Sequence, residues 1–293
     1  MKQTIAYQGE PGAYSHLACV ENYPDMEPLP CYSFEEAFGA VADGKAARAM
    51  IPVENTLAGR VADIHYLLPE SHLRIEAEKF LPIHHFLMAA KGASLETIKR
   101  AHSHVMALGQ CRLALHRLGI KAAHAQDTAG AAKMIAEKNN AEDAAVASKL
   151  AAEIYDLDVL AENIEDASHN ATRFLVMSRD ADIPAYEKDK AYVTSFVFRV
   201  RNIPAALYKA MGGFATNGVN MTKLESYQLG GSFTATRFYA DVAAHPNEYA
   251  LKLAMEELAF FSTEIKILGT YEADPFRLRA VADTQAECTN DSL

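Results

Sequence analysis

The sequence predicts an α/β protein in two parts: alternating strands and helices over residues 1–180, then a ferredoxin-like βαββαβ unit. Three observations predict this. Short apolar runs alternate with amphipathic ones through the first part, the spacing of mostly parallel strands joined by crossover helices. The charged, proline-containing stretch 179–190 then breaks the pattern and reads as a linker. Beyond it, strand, helix, strand, strand, helix and strand follow within about 80 residues.

The elements follow in order. Strands are expected at 4–7, 49–52, 100–103, 144–147 and 173–177, and helices at 14–22, 34–43, 110–118, 128–137 and 149–155. Ser33 with Glu36 makes a capping box, and Asp127 is placed to cap the helix after it. The stretch 73–90 is longer and strand-like. It reads as carrying the chain from one lobe to another, with 164–172 carrying it back; two lobes so crossed enclose a cleft. In the second part, strands are expected at 194–200, 219–227, 232–241 and 264–271, and helices at 205–217 and 247–261. Gly218 is set to end the first of these helices, and Gly230-Gly231 signals a turn. The resulting boundaries are 1–180, a linker at 181–192, a second domain at 193–275, and a polar tail at 276–293.

Half of the 293 residues are hydrophobic, enough for two cores. The formal charge is 28 − 38 = −10, with no Lys/Arg block. That balance speaks against nucleic acid or an anionic membrane as partner. An anionic substrate would need positive potential built locally. The four cysteines, Cys19, Cys31, Cys111 and Cys288, form no Cys-x-x-Cys pair, which suits reduced thiols of a cytoplasmic protein. Residues 1–7 read as a first strand, not a signal peptide, and no apolar run is long enough to span a bilayer.

Gly9-Glu10-Pro11-Gly12-Ala13-Tyr14-Ser15-His16 follows a strand and opens a helix, where backbone N–H groups can meet an anion; the plainer alternative is an ordinary βα turn. Residues 51–60 gather Glu54, Asn55, Thr56 and Arg60 at a strand's end, with a capped turn as the alternative. Ser103-His104 and Gln110-Cys111 flank another strand-to-helix junction. His102 and His104 lack a third metal ligand at a diagnostic spacing, and His84-His85 reads as strand decoration. Thr172, Arg173 and Phe174 enter a strand after a loop. No P-loop, HExxH, dinucleotide fingerprint or Ser-His-Asp ordering appears. The residues alone thus describe a small-molecule protein without a cofactor, with a polar, anion-friendly cleft, and they name no reaction.

Taken together, GEPGAYSH, IPVENTLAGRVADI, the Ser103-His104 and Gly109-Gln110-Cys111 pair, DTAGAA and NATRFLVM resemble successive segments of the prephenate dehydratase family, in one order. The similarity runs from Thr4 to Tyr271. The C-terminal unit resembles that family's ACT domain, with 202–207 and Glu225-Ser226 at its two ligand-binding segments. The resemblance implies a two-lobed, periplasmic-binding-protein-like catalytic domain, no metal and no organic cofactor. It implies conversion of prephenate to phenylpyruvate, CO2 and water, L-phenylalanine as effector, and a homodimer or homotetramer. By resemblance Thr172 gives the leaving hydroxyl its proton, and Glu54, Asn55, Ser103 and Gln110 order the network around it. Arg173 and the N–H groups of Ala13, Tyr14 and Ser15 would hold carboxylates, with Thr56 and Phe174 also at the substrate. Asn202, Pro204, Ala205, Ala206, Leu207, Glu225 and Ser226 would hold the effector. The chain departs from the family at Thr56 (more often Ser), Val105-Met106 (Pro-Gln), Ala205 (Gly) and Tyr227-Gln228 (Arg-Pro). The last departure removes a guanidinium and a rigid turn from the regulatory segment. Two other functions fit the same residues: arogenate dehydratase, and a sensor that binds an amino acid without turnover.

Overall fold

A computed structural model describes residues 2–229 and 232–279. The chain divides into two compact units, Met1–Val61 with Lys79–Phe174, and Ala62–Glu78 with Leu175–Leu293. The elements of the first part are β1 (Thr4–Gln8), α1 (Tyr14–Asn22), β2 (Glu27–Cys31), α2 (Phe34–Ala42), β3 (Arg48–Asn55), β4 (Gly59–Arg60), α3 (Ile64–Glu70), β5 (Arg74–Pro82), β6 (Phe86–Ala89), β7 (Arg100–Ser103), α4 (Val105–Gln110), α5 (Arg112–Arg117), β8 (Lys121–His124), α6 (Thr128–Lys138), β9 (Asp143–Ala147), α7 (Lys149–Ile154), β10 (Asp158–Ala161) and β11 (Ala171–Ser178).

One sheet has the order β2-β1-β3-β11-β5, with the short β4 folded back on β3; β1 runs parallel to both its neighbours. A second has the order β10-β6-β9-β7-β8. There β7 is parallel to β8 and β9, whereas β6 is antiparallel to β9 and β10, so this sheet is mixed, not parallel throughout. The stretch expected to cross between lobes is β5 followed by β6, one strand in each sheet, and β11 returns the chain to the first. β9 is buried along its whole length and reads as an uninterrupted apolar run from Ala144 to Ala147.

The expected caps form. Ser33 accepts a hydrogen bond from the Glu36 N–H at 3.2 Å, and Asp127 accepts one from the Gly130 N–H at 2.6 Å. Glu36 departs from the capping box: its carboxylate accepts from the Tyr32 N–H at 2.6 Å, one residue before the cap. The helix expected over 110–118 is instead two, α4 and α5, joined at Cys111. His104 accepts the Met106 N–H on its Nδ1 at 3.3 Å and so starts the first helix five residues early.

In the second unit β12 (Tyr192–Val200), α8 (Ala206–Thr216), β13 (Met221–Leu229), β14 (Ser232–Val242), α9 (Tyr249–Phe261) and β15 (Ser262–Glu272) form the βαββαβ pattern. The antiparallel sheet has the order β13-β14-β12-β15. Phe196, Phe198 and Phe238 pack with Phe214, Leu251 and Leu258 of the helices. Gly218 takes the left-handed conformation (φ 69°) that ends α8. The Gly230-Gly231 turn and the tail 280–293 lie outside the described residues. The expected linker carries no helix or strand before Tyr192, whose hydroxyl donates to the Ala185 carbonyl at 2.8 Å and accepts from Glu187 N–H at 2.9 Å.

The compact units differ from a simple cut near residue 180, because 62–78 packs with the C-terminal elements. Lys266 Nζ donates to the carbonyls of Pro69 and Ser71 at 2.6 and 2.7 Å, capping α3 from outside. Arg237 donates to Glu70 at 2.9 Å. Glu78, 1% exposed, takes both arms of the Arg277 guanidinium at 2.7 Å.

Candidate functional site

Within the first unit, the ends of β1, β3 and β11 and the starts of α1, α4 and α6 surround a cavity of about 290 Å³. Of the residues expected at a substrate site, Ala13, Tyr14, Ser15, Asn55, Gln110, Thr172 and Phe174 line it. Glu54, Thr56, Ser103 and Arg173 do not.

Thr172 and Phe174 face the cavity because side chains alternate along β11. The same alternation turns Arg173 the other way. Its guanidinium is 1% exposed and donates to the partly exposed Glu54 at 3.1 Å, so Arg173 is turned away from the carboxylate it was expected to hold. Ser103, fully buried, donates to the Val146 carbonyl at 2.6 Å and ties β7 to β9. Thr56 donates to the His169 carbonyl at 3.1 Å and accepts the Ala171 N–H at 3.0 Å, stapling the 51–60 turn to β11.

Asn55 caps its own turn and reaches β11 with the same side chain. Its Oδ1 accepts the N–H groups of Leu57 and Ala58 at 3.0 and 2.8 Å, an Asx turn. Its Nδ2 faces Asn170 Oδ1, the Ala171 carbonyl and Thr172 Oγ1 at 2.7, 3.1 and 3.0 Å. Thr172 therefore accepts from Asn55, and its own O–H remains to donate. Asn170 in turn donates to Gln110 Oε1 at 3.0 Å.

The Gly9–His16 turn is fixed by close packing. Gly12 has φ 91°, and a Cβ there would lie 2.7 Å from the Ala151 Cα. Ser148 donates to the Gly12 carbonyl at 2.5 Å, and Gly12 N–H goes to His16 Nδ1 at 3.0 Å. The Ala13 N–H, expected to hold a carboxylate, is spent on the Glu10 carbonyl at 3.0 Å. The first bond inside α1 comes from Leu17 N–H, which leaves the N–H groups of Tyr14, Ser15 and His16 at the helix's positive end. Among the described lining residues there is no Lys or Arg, so these amides are the local attraction for an anion.

His85, which the sequence reading set aside, is 2% exposed and lines the cavity. Its Nδ1 is 2.7 Å from the Tyr14 hydroxyl and its Nε2 is 2.8 Å from Gln110 Oε1. Burial holds its pKa below the usual imidazole value, with the Gln110 hydrogen bond and the Glu165 charge partly opposing. Burial also lifts the Tyr14 phenol well above its usual range. Glu165 is pushed up by burial, but hydrogen bonds from the His85 N–H and from His84 outweigh this and leave it below the ordinary carboxyl range. A buried histidine between β5 and β6, three residues past the end of one and just before the other, gave no periodic signal; only the fold brings it to Gln110. Among the described residues, no group of three or more His, Cys, Asp or Glu is placed to hold a metal, and no helix is long and apolar enough to cross a membrane.

Fold and cavity define an α/β small-molecule protein whose site offers a hydroxyl proton and oriented amide donors. A family model described as prephenate dehydratase matches residues 5–182, and the chain belongs to that family. A "Bifunctional N-acyl-homoserine lactone acylase/prephenate dehydratase" of Komagataeibacter europaeus is 50% identical over 94% of this chain and 98% of its own. An "Arogenate dehydratase/prephenate dehydratase 2, chloroplastic" of Arabidopsis thaliana is 38% identical over 92% of this chain and 73% of its own. A crystal structure of prephenate dehydratase from Arthrobacter aurescens in complex with L-Phe superposes with a TM-score of 0.84 at 27% identity, covering 98% of this chain and 99% of that one.

Proposed function

We propose that the chain converts prephenate to phenylpyruvate, CO2 and water, and that its catalytic part is the first unit with its two sheets. The observation that carries this is the Thr172 hydroxyl, which accepts from Asn55 at 3.0 Å and so has its proton left for a leaving oxygen in the cavity. As the C–C bond to the ring carboxylate breaks, its electron pair moves through the ring and expels the hydroxyl, which takes the Thr172 proton and departs as water. Solvent then restores that proton. Donation from Asn55 into the Thr172 oxygen makes the O–H a better donor, which an unaided alcohol is not. Aromatisation drives the reaction, so neither a strong base nor a cofactor is required. The open N–H groups of Tyr14 and Ser15 are the proposed carboxylate holders, with Phe174 against the ring.

Arogenate, with an amino acid side chain in place of the keto acid, undergoes the same elimination, and the purified chain is to be assayed on both substrates side by side. Phenylpyruvate released from prephenate supports the proposal; turnover of neither substrate removes it, and ligand binding without turnover favours the sensor reading. The relative from Komagataeibacter europaeus also carries an acylase name. The Thr172 hydroxyl held by Asn55 at the cavity is what favours elimination as the reading here.

The second unit's βαββαβ domain is, in this proposal, an ACT-type regulatory domain that binds L-phenylalanine. A cavity of about 630 Å³ is lined by Asn202, Ala205, Ala206 and Leu207, together with Arg199 and Arg201, two cations the sequence reading overlooked. Pro204, Glu225 and Ser226 are not part of that lining. Ala205 holds φ 60°, the left-handed conformation that suits the family's more usual glycine and costs an alanine about 1 kcal/mol. At the Tyr227 departure, the cross-strand partner is Arg237, which supplies a guanidinium to the same patch. That charge is already matched by Glu70 and Glu264 at 2.9 and 3.0 Å. Exposed Tyr208 and Phe260 on α8 and α9 fit pairing of two chains into an even-numbered homo-oligomer, to be checked by light scattering.

A further inference from the structure

The polarity of every hydrogen bond from the 51–60 turn to His85 follows from two backbone amides. The N–H groups of Leu57 and Ala58 can only donate, so the Asn55 atom they meet is its oxygen. Asn55 therefore turns its NH2 to Asn170, whose facing atom at 2.7 Å must be oxygen. The other end of Asn170 is then NH2, and the Gln110 atom it meets at 3.0 Å must be oxygen too. That same Gln110 oxygen lies 2.8 Å from His85 Nε2 and has no hydrogen to give, so Nε2 carries one. The neutral ring then has a bare Nδ1, and the Tyr14 hydroxyl, 2.7 Å away, has that nitrogen and the His84 carbonyl at 2.9 Å as the two acceptors for its one hydrogen. With its carbonyl held by two donors, Gln110 has only its NH2 end without a partner among the described residues, and Gln110 lines the cavity.

We propose that His85 is a positioning residue: as the Nε2–H tautomer, it clamps the Gln110 carbonyl so that the Gln110 amide presents its N–H pair to an acceptor oxygen of the bound substrate. What Gln110 holds rests on the proposed elimination; the tautomer does not. Without the Nε2–H donor the Gln110 amide is free to turn over and to offer the substrate a carbonyl in place of N–H. Tyr14 belongs to the same device when its one hydrogen goes to Nδ1 and not to the His84 carbonyl.

The test uses the full chain with ¹⁵N-labelled histidine, the His85 signal being assigned by its loss in His85→Gln. A protonated Nε2 beside a bare Nδ1 is expected; the opposite tautomer overturns the proposal whether or not the enzyme turns over. In kinetics, His85→Leu is expected to lower kcat/KM on prephenate at least about tenfold, the scale of one misdirected buried donor. His85→Gln, whose amide N–H replaces Nε2–H, is expected to recover to within about threefold of the parent. In a Gln110→Ala background the His85→Leu change is expected to have little further effect. Unchanged kinetics in His85→Leu, a folded His85→Gln as impaired as the leucine variant, or additive losses in the double variant would each overturn it. If His85→Leu does not fold, the tautomer and the glutamine variant decide. A parent chain that turns over neither prephenate nor arogenate sinks the elimination reading and leaves the tautomer measurement standing.

Discussion

Thr172 shows how much one residue's surroundings decide. Its hydroxyl oxygen is taken by Asn55 and its proton is not, so removing the hydroxyl removes a donor needed mainly in the transition state. Thr172→Ala is expected to lower kcat at least about 100-fold with a smaller change in KM, and Thr172→Ser to keep much of the activity; steady-state kinetics on prephenate check both. An alanine variant that is folded and fully active would take Thr172 out of the reaction. Thr172, Asn55 and Gln110, which the sequence singled out through their motifs, meet at one cavity, the arrangement the proposal builds on. Arg173 was half legible. Strand alternation places it opposite Thr172, but its charge suggested a substrate carboxylate, and only the fold shows its guanidinium turned to Glu54. Ser103 misled for the same reason: a hydroxyl beside a helix start reads as chemistry, and a carbonyl on the neighbouring strand had already claimed it.

Among the elements, β7 and α1 begin and end where they were expected and β1 lies within one residue, the Gly9–Ala13 turn marking the boundary between β1 and α1. The α4–α5 break was not legible, since it depends on a histidine acting as an N-cap. The Gly9–His16 turn carries a second lesson. Gly12 is required by the approach of α7, not by an anion, and both its φ and its contact with Ala151 forbid a side chain. Gly12→Ala is expected to destabilise the chain by at least about 2 kcal/mol in urea titration, through left-handed strain and overpacking together. A cost near zero would show that α7 yields. Acid sensitivity has its own address at the start of β9. Hydrogen bonds from Arg100, opposed by burial and aided by His102 and Asn140, hold the Asp143 carboxyl down at about 2. A carboxyl depressed in the folded state stabilises above its unfolded pKa, about 4, and that contribution is lost as the pH falls through its folded value. The parent is therefore expected to lose stability between about pH 4 and pH 2 more steeply than Asp143→Asn, measured by urea unfolding at a series of acid pH values. Parallel curves would relieve Asp143 of that role.

At the scale of the whole molecule, the question is whether phenylalanine acts through the second unit, and the obvious experiment is confounded by the fold. A chain cut near Asp182 keeps 62–78 yet loses what that segment packs on. Glu78, 1% exposed, would lose the Arg277 guanidinium that pairs with it, and the Pro69 and Ser71 carbonyls would lose Lys266. With those contacts gone the cut chain is expected to melt well below the full chain, and lost inhibition in it would report damage as readily as a missing effector site. The full chain is the proper subject. Phenylalanine is expected to bind it by calorimetry and to lower prephenate turnover, which requires tighter binding to the less active state; equal affinity for both states would shift nothing. Asn202→Ala, at the lining of the proposed effector cavity, is expected to weaken that binding about tenfold, the loss of one good polar contact. Arg237 cannot stand in for the guanidinium missing at position 227 while Glu70 and Glu264 hold it, so replacing either carboxylate should tighten phenylalanine binding if the freed charge then reaches the ligand. Glu70 is the better choice, being on α3 and far more exposed than the Arg237 side chain it binds, so its loss leaves little behind to rebury. If the full chain neither binds phenylalanine nor slows in its presence, the βαββαβ domain has kept its fold without the effector, and the Tyr227-Gln228 departure becomes the first place to look for the cause.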